Sequence, residues 1–144
     1  RTKTMLRPDP RGQSEVAYCT GDLVRLKPDG DYNYFGRRDH MIKTRGYRVE
    51  LGEIENVVNC HPAVLEAVAS ALPDPKIGSR IMVSAVICNG DKLEPRDLRN
   101  FCRERLPAYM IPEQLEIRAE FPRTSTGKVD RQILLVEWKD KELA

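Results

Sequence analysis

Twelve residues, Arg37 to Arg48, hold five cations: Arg37, Arg38, Lys43, Arg45 and Arg48. Gly46 sits between two of them, where a side chain would block a close backbone approach. The sign then reverses, with Glu50, Glu53 and Glu55 opening an apolar helical pattern. A glycine flanked by cations just ahead of a helix suits an anion. The same run also fits a charged, solvated surface turn, the commoner fate of a charge cluster. Farther along, Lys128 follows Gly127 in a loop of small residues. Taken alone it reads as a solvated lysine at a helix start. A phosphate-binding P-loop is excluded there, because that pattern needs Gly where Pro122 stands and Ser or Thr where Val129 stands. Asp22 lies in a Thr-Gly-Asp turn. Its carboxylate can accept two hydrogen bonds from a ribose diol, or bond its own backbone within the turn.

Four strings carry more than these residues singly. They are Tyr18-Cys19-Thr20-Gly21-Asp22-Leu23, the run from Gly36 to Glu55, Leu106-Pro107-Ala108-Tyr109-Met110-Ile111-Pro112, and Ser125-Thr126-Gly127-Lys128-Val129-Asp130-Arg131. Together they resemble the last four core motifs of the adenylate-forming enzymes. That superfamily includes the amino-acid-activating domains of nonribosomal peptide synthetases, acyl-CoA synthetases and luciferases. The resemblance runs from about Tyr18 to about Leu134, in the family's order and spacing. The string Arg45-Gly46-Tyr47-Arg48-Val49-Glu50-Leu51-Gly52-Glu53-Ile54-Glu55 is most similar to the amino-acid-activating branch.

The resemblance implies a role for each candidate. Asp22 would bind the ribose hydroxyls of ATP, and Arg37 would lie near ribose and phosphates. Cys19 stands where many members carry Arg, a departure that leaves Asp22 intact. Asp39 matches the hinge about which a small C-terminal domain swings. Gly46 and Tyr47 match a loop that lines the channel for a pantetheine thiol after the swing. Arg48 has two open readings, a phosphate in that channel or an ion pair with Glu50 or Glu53. Lys128 matches the lysine that stabilises charge as the acyl-adenylate forms, a task suited to a long, mobile ammonium.

The elements that must hold these residues follow from pattern. Residues 1–17 are polar and turn-rich. Val24 to Phe35 reads as a hairpin around Pro28-Asp29-Gly30, and Met41 to Val49 as a second one around Arg45-Gly46. A helix starts near Leu51, with Ile54, Val57 and Val58 on one face, and ends at His61-Pro62, where His61 is expected to cap it. Val64 to Ala71 reads as a strand, although its alanines permit a helix. Pro73 to Ser79 reads as a loop, and Ile81 to Cys88 as a β-branched strand. Glu94 to Leu106 is the clearest helix, with Pro95 in its first turn. Gln114 to Ala119 alternates as a strand. Asp130 to Trp138 reads as a last helix burying Ile133, Leu134 and Trp138. Tyr109 and Met110 are expected to pack rather than react.

The fold class expected is α+β: the small C-terminal domain of the adenylate-forming fold over 39–144, preceded by a β-rich piece, 1–38, from the end of a large domain. The function implied is that of the C-terminal part of an ATP-dependent acid–thiol ligase, inactive as a fragment. Such an enzyme forms an acyl- or aminoacyl-adenylate and transfers the acyl group to pantetheine. Two other readings stay open: an acyl-CoA ligase of the same superfamily, and a noncatalytic docking module. The implied cofactors are ATP, Mg²⁺ with ligands outside this chain, and phosphopantetheine as acceptor. The implied partners are the large adenylation domain, a carrier protein or coenzyme A, and a carboxylic or amino acid.

Bulk properties narrow the alternatives. The chain has 144 residues, a net charge of +2 and 32% charged residues. That balance gives no case for a nucleic-acid partner, since no basic run is interleaved with aromatics. No apolar run reaches membrane-spanning length. The cysteines, at 19, 60, 88 and 102, lack metal-site spacing. No metal site is expected, and four free thiols point to a cytoplasmic setting. Neither His40 nor His61 has an identifiable nucleophile partner, so a hydrolase triad is unsupported.

Overall fold

The computed structural model of the chain describes residues 6–8, 16–37 and 40–144. These fall into two compact units, residues 1–40 and 41–144. Asp39, the expected hinge, lies outside the described residues, as does Arg38.

The first unit is built from two antiparallel pairs. β1 (Leu6–Pro8) pairs with β2 (Val16–Tyr18), and β3 (Asp22–Leu26) with β4 (Tyr32–Arg37). A ladder as short as β1–β2 leaves no alternation to read, so the sequence shows only turn signals there. The β3–β4 hairpin turns where Pro28-Asp29-Gly30 places it. Gly30 takes φ +91°, and its N–H donates to the Lys27 carbonyl at 3.0 Å.

In the second unit, β5 (Met41–Thr44) and β6 (Tyr47–Glu50) form a hairpin, and α1 (Leu51–Asn59) follows without a break. A three-stranded sheet comes next, in the order β7 (Val64–Asp74), β8 (Gly78–Ile87), β9 (Gln114–Arg118). β7 and β8 are antiparallel, whereas β8 and β9 are parallel and joined through α2 (Pro95–Arg103) and a 3₁₀ turn (Ala108–Met110). α3 (Arg131–Leu143) closes the chain. Alternate residues of β7 and β8 enter different clusters. Ala67, Ala69, Ile81, Val83 and Ala85 meet Ile54 and Val58 of α1 and Leu98 and Cys102 of α2. Val68, Leu72, Met82 and Val86 meet Leu134 and Trp138 of α3. Helices thus cover both faces, which explains why β8 is apolar on both sides from Ile81 to Ile87, with Ser84 alone interrupting.

Four expectations change. Val64 to Ala71 is a strand, but it runs on to Asp74. The expected loop from Pro73 to Ser79 shrinks, with Pro73 paired to Ser79 and Asp74 to Gly78. An edge strand such as β7 tolerates proline there. α2 ends at Arg103, because the Arg105 and Leu106 N–H groups both turn back onto the Cys102 carbonyl. α3 outruns its apolar stripe because its polar end is paired: Lys141 with Glu116 and Glu142 with Arg80. Ile133 is exposed while Leu134 and Trp138 are buried. The inward stripe is the i, i+4 pair, and Ile133 falls one position off it.

Candidate functional site

In the first unit, Asp22 opens β3 and Arg37 closes β4, and the register makes them cross-strand partners. Two candidates fifteen positions apart in the chain thus share one end of one hairpin. The Asp22 N–H donates to Thr20 Oγ1 at 3.2 Å, and Asp22 is exposed. An exposed carboxylate at a strand start is the acceptor chemistry that a ribose diol requires.

In the second unit, Arg45 and Gly46 make the two-residue turn of the β5–β6 hairpin at φ +51° and +85°. Positive φ at both positions is the turn geometry that matches strand twist. Arg45 is the single non-glycine residue at positive φ among the described residues, and it is held from two sides. Its N–H donates to the Ile77 carbonyl at 2.8 Å, and its Nη2 meets Glu113 Oε1 at 2.9 Å. Glu113 also accepts the Ile81 N–H at 2.7 Å through Oε2. Beside the turn, Tyr47 stacks on Tyr109 with ring centroids 3.9 Å apart and planes 5° from parallel. Tyr109 packs on the core and Met110 is buried, as expected. A Cβ on Gly46 would meet nothing within 4 Å. Its φ therefore explains this glycine, rather than the close backbone approach that its flanking cations suggested.

Arg48 is paired with neither Glu50 nor Glu53. Its Nε and Nη2 donate to Met41 Sδ at 3.2 and 3.0 Å. The register sets Arg48 opposite Lys43, both exposed. Like charges in that relation are unfavourable until an anion joins them.

Lys128 lies on a tight loop. The Thr124 N–H donates to the Lys128 carbonyl at 2.7 Å, and the Gly127 N–H to the Thr124 carbonyl at 2.9 Å. Arg123 and Val129 form an antiparallel bridge at its base. Arg123 reaches Glu66 on β7, with Nη2 at 2.6 Å from Oε2. Asp130 caps α3, accepting from the Gln132 and Ile133 N–H groups. Arg131 forks onto Glu55 of α1, Nη1 to Oε1 at 2.5 Å and Nη2 to Oε2 at 3.1 Å. Glu55 Oε1 also accepts the Ala69 N–H at 2.8 Å. The Lys128 side chain is exposed and has no hydrogen-bond or ion-pair partner among the described residues.

Neither histidine nor cysteine offers a rival centre. His61 does not cap α1, because the chain has already turned off at Cys60. Its Nδ1 accepts the Ala63 N–H instead, and its ring meets Phe101 edge-on. All four cysteines are free. Burial pushes the Cys102 thiol up to about 11, against the opposing charges of Arg105 and Arg99, so it is no thiolate at neutral pH. Among the described residues no group of three or more His, Cys, Asp or Glu could hold a metal ion. Among them, too, no helix is long and apolar enough to cross a membrane.

The family described as "AMP-binding enzyme C-terminal domain" matches residues 53–128. The chain belongs to that family. Surfactin synthase subunit 1 of Bacillus subtilis (strain 168) is 42% identical over 126 residues, covering 88% of this chain and 4% of that protein. An L-proline–(L-prolyl-carrier protein) ligase of Pseudomonas fluorescens is 42% identical over 117 residues, covering 81% of this chain and 23% of the ligase. Among solved structures, ATP-bound MatB from Rhodopseudomonas palustris superimposes with a TM-score of 0.80 at 23% identity, over 96% of this chain and 26% of that one. The fold is thus that of the C-terminal domain of adenylate-forming enzymes, and the chain is most similar to nonribosomal peptide synthetases. It spans a small part of the length of each relative.

Sequence reasoning missed Glu55, Glu66 and Glu113 as anchors. A glutamate in a helix, in a strand or after a proline carries no mark of the arginine it will meet. Their partners lie 76, 57 and 68 positions away along the chain.

Proposed function

We propose that this AMP-binding C-terminal domain serves an enzyme that activates a carboxylic or amino acid as its adenylate and then passes the acyl group to a pantetheine thiol on a carrier protein. The observation that carries the reading is Lys128: an exposed ammonium, unpaired among the described residues, on a loop fixed at both stems. Forming an acyl-adenylate places extra negative charge on the carboxylate and the α-phosphate. A single long side chain can bridge both as that charge develops, and a rigid loop base means little reorganisation at that moment.

ATP fits the exposed Asp22 carboxylate, which would hold the ribose hydroxyls, with Arg37 beside it in register. When bound, ATP supplies the electrophilic α-phosphate and pyrophosphate as leaving group. Mg²⁺ finds no ligand cluster among the described residues. The second half-reaction belongs to the other hairpin. Gly46 leaves open space at its turn, Tyr47 offers a stacked wall, and Lys43 opposite Arg48 offers charge for the phosphate of a phosphopantetheine arm. The kinship with a ligase named for a carrier protein supports that acceptor over free coenzyme A. Asp39 is then the hinge that exchanges the two faces, in a cytoplasmic enzyme.

Separate assay of the two half-reactions in the complete enzyme tests this. Lys128→Ala should lower ATP–pyrophosphate exchange roughly 10²–10³-fold, the usual cost of one charge-stabilising contact. Thioester formation from a supplied adenylate should stay near the parent rate. Asp39→Pro fixes φ and should do the reverse. Equal losses in both half-reactions for either variant would refute its role. The 144-residue chain alone, lacking a large-domain phosphate loop and acid pocket, should fold cooperatively and give no exchange.

A further inference from the structure

Lys128 has no partner of its own among the described residues, so something else must hold it where the reaction needs it. The loop base is tethered twice. Arg123 pairs with Glu66, but the two side chains are 48% and 37% exposed, and the second contact of the fork stretches to 3.5 Å. An ion pair so placed contributes little. Arg131 meets Glu55 through both nitrogens, and the Glu55 side chain is only 13% exposed. Fork-to-fork geometry on a desolvated carboxylate fixes orientation as well as distance. Glu55 has a second duty: by accepting the Ala69 N–H it joins α1 to β7. One carboxylate therefore ties the stem three residues after Lys128 to the helix that grows directly out of the β5–β6 hairpin.

We propose that Arg131, through its fork on Glu55, is the positioning residue for Lys128 in adenylate formation. The inference rests on the reading of Lys128 given above. The Arg131 guanidinium is taken up by Glu55. It sets where the lysine stem begins, and displacement of a charge-bearing group by an ångström is enough to cost roughly ten- to a hundredfold in rate. Arg123, on its exposed and stretched pair, should matter much less.

Steady-state pyrophosphate exchange, thioester formation from supplied adenylate, and thermal unfolding of the complete enzyme decide it. Arg131→Met keeps the apolar stem and removes the fork. It should lower kcat of exchange roughly tenfold or more, with KM for ATP and thioester formation near the parent values. Arg131→Lys should recover part of the loss. Glu55→Gln keeps an acceptor for Ala69 while weakening the fork, so it should act in the same direction even if Arg131→Met folds poorly. In a Lys128→Ala background, Arg131→Met should cause no further loss of exchange. A further loss there, or a parallel fall in both half-reactions and in unfolding temperature, would overturn the inference by showing an independent or merely structural role. So would parent-like exchange in Arg131→Met and Glu55→Gln beside an impaired Lys128→Ala. Parent-like exchange in Lys128→Ala would instead sink the reading of Lys128, and the positioning role with it.

Discussion

The Lys128 loop and the Arg45–Gly46 turn are held in opposite ways. At the first, the stems are tied and the tip is free: Arg123 and Arg131 carry the ion pairs, and the lysine between them has none among the described residues. At the second, the tip itself is tied: Arg45 is bound to Glu113 and Ile77, and Tyr47 lies flat on Tyr109. A free ammonium on a fixed base can follow charge as it develops. A fixed turn cannot reach anything, but it can present a surface of constant shape. Under the proposed function the two turns would suit different tasks, one stabilising a transient charge and the other walling a channel.

The comparison can be broken from the turn's side. Glu113→Ala should have the largest effect, since it releases Arg45 and also leaves the Ile81 N–H without its acceptor. That loss costs about 1–3 kcal/mol, read as a lower unfolding midpoint in denaturant. Thioester transfer should fall more than pyrophosphate exchange, and the opposite order would mean that the turn's fixity is irrelevant to the acceptor step. Gly46→Ala should come next. A Cβ meets no neighbour there, so the cost is backbone strain alone, roughly 1–2 kcal/mol at positive φ. A neutral Gly46→Ala would mean that the turn relaxes freely and is not a fixed wall.

Acid gives the smallest and sharpest test, on the Lys128 side. α3, whose start carries the Arg131 fork, is fastened near its far end through Glu116. Burial raises the Glu116 pKa, but hydrogen bonds from Lys141, Ser84 and Arg118 outweigh it, and the net shift is down from 4.5. A depressed carboxylate contributes stability that is present above the unfolded value and lost as pH falls through the folded one. The unfolding temperature should therefore drop from about pH 4.5 downward. In Glu116→Gln the protein should start lower at neutral pH and drop less steeply across that range. Identical slopes would show that this network does not hold α3.

Much of the molecule is legible in its sequence. The β5–β6 hairpin announces itself through Arg45-Gly46, and α1 through glutamates ahead of an apolar i, i+3, i+4 face. Trp138 and Leu134 read correctly as buried because their spacing is helical. Ile133 reads wrongly with them, since adjacency in a helix is not a shared face. Lys128 stands out by motif, and it is exposed. The anchors are beyond reach for a different reason. Glu55 already has a local explanation as a polar position beside the apolar face of an amphipathic helix. Nothing local contradicts that explanation, and only tertiary contact with Arg131 supplies the other.

The parallel pairing of β8 with β9 also has a consequence for biosynthesis. The β5–β6 hairpin needs only neighbouring residues and can close within microseconds. Glu113, which holds its turn, lies 68 residues downstream on the far side of α2. At roughly 5–20 residues per second, the ribosome takes on the order of 3–14 s to deliver it. For that interval Arg45 sits in its left-handed conformation without its carboxylate, and the turn takes its final shape only once Glu113, just ahead of β9, has been made.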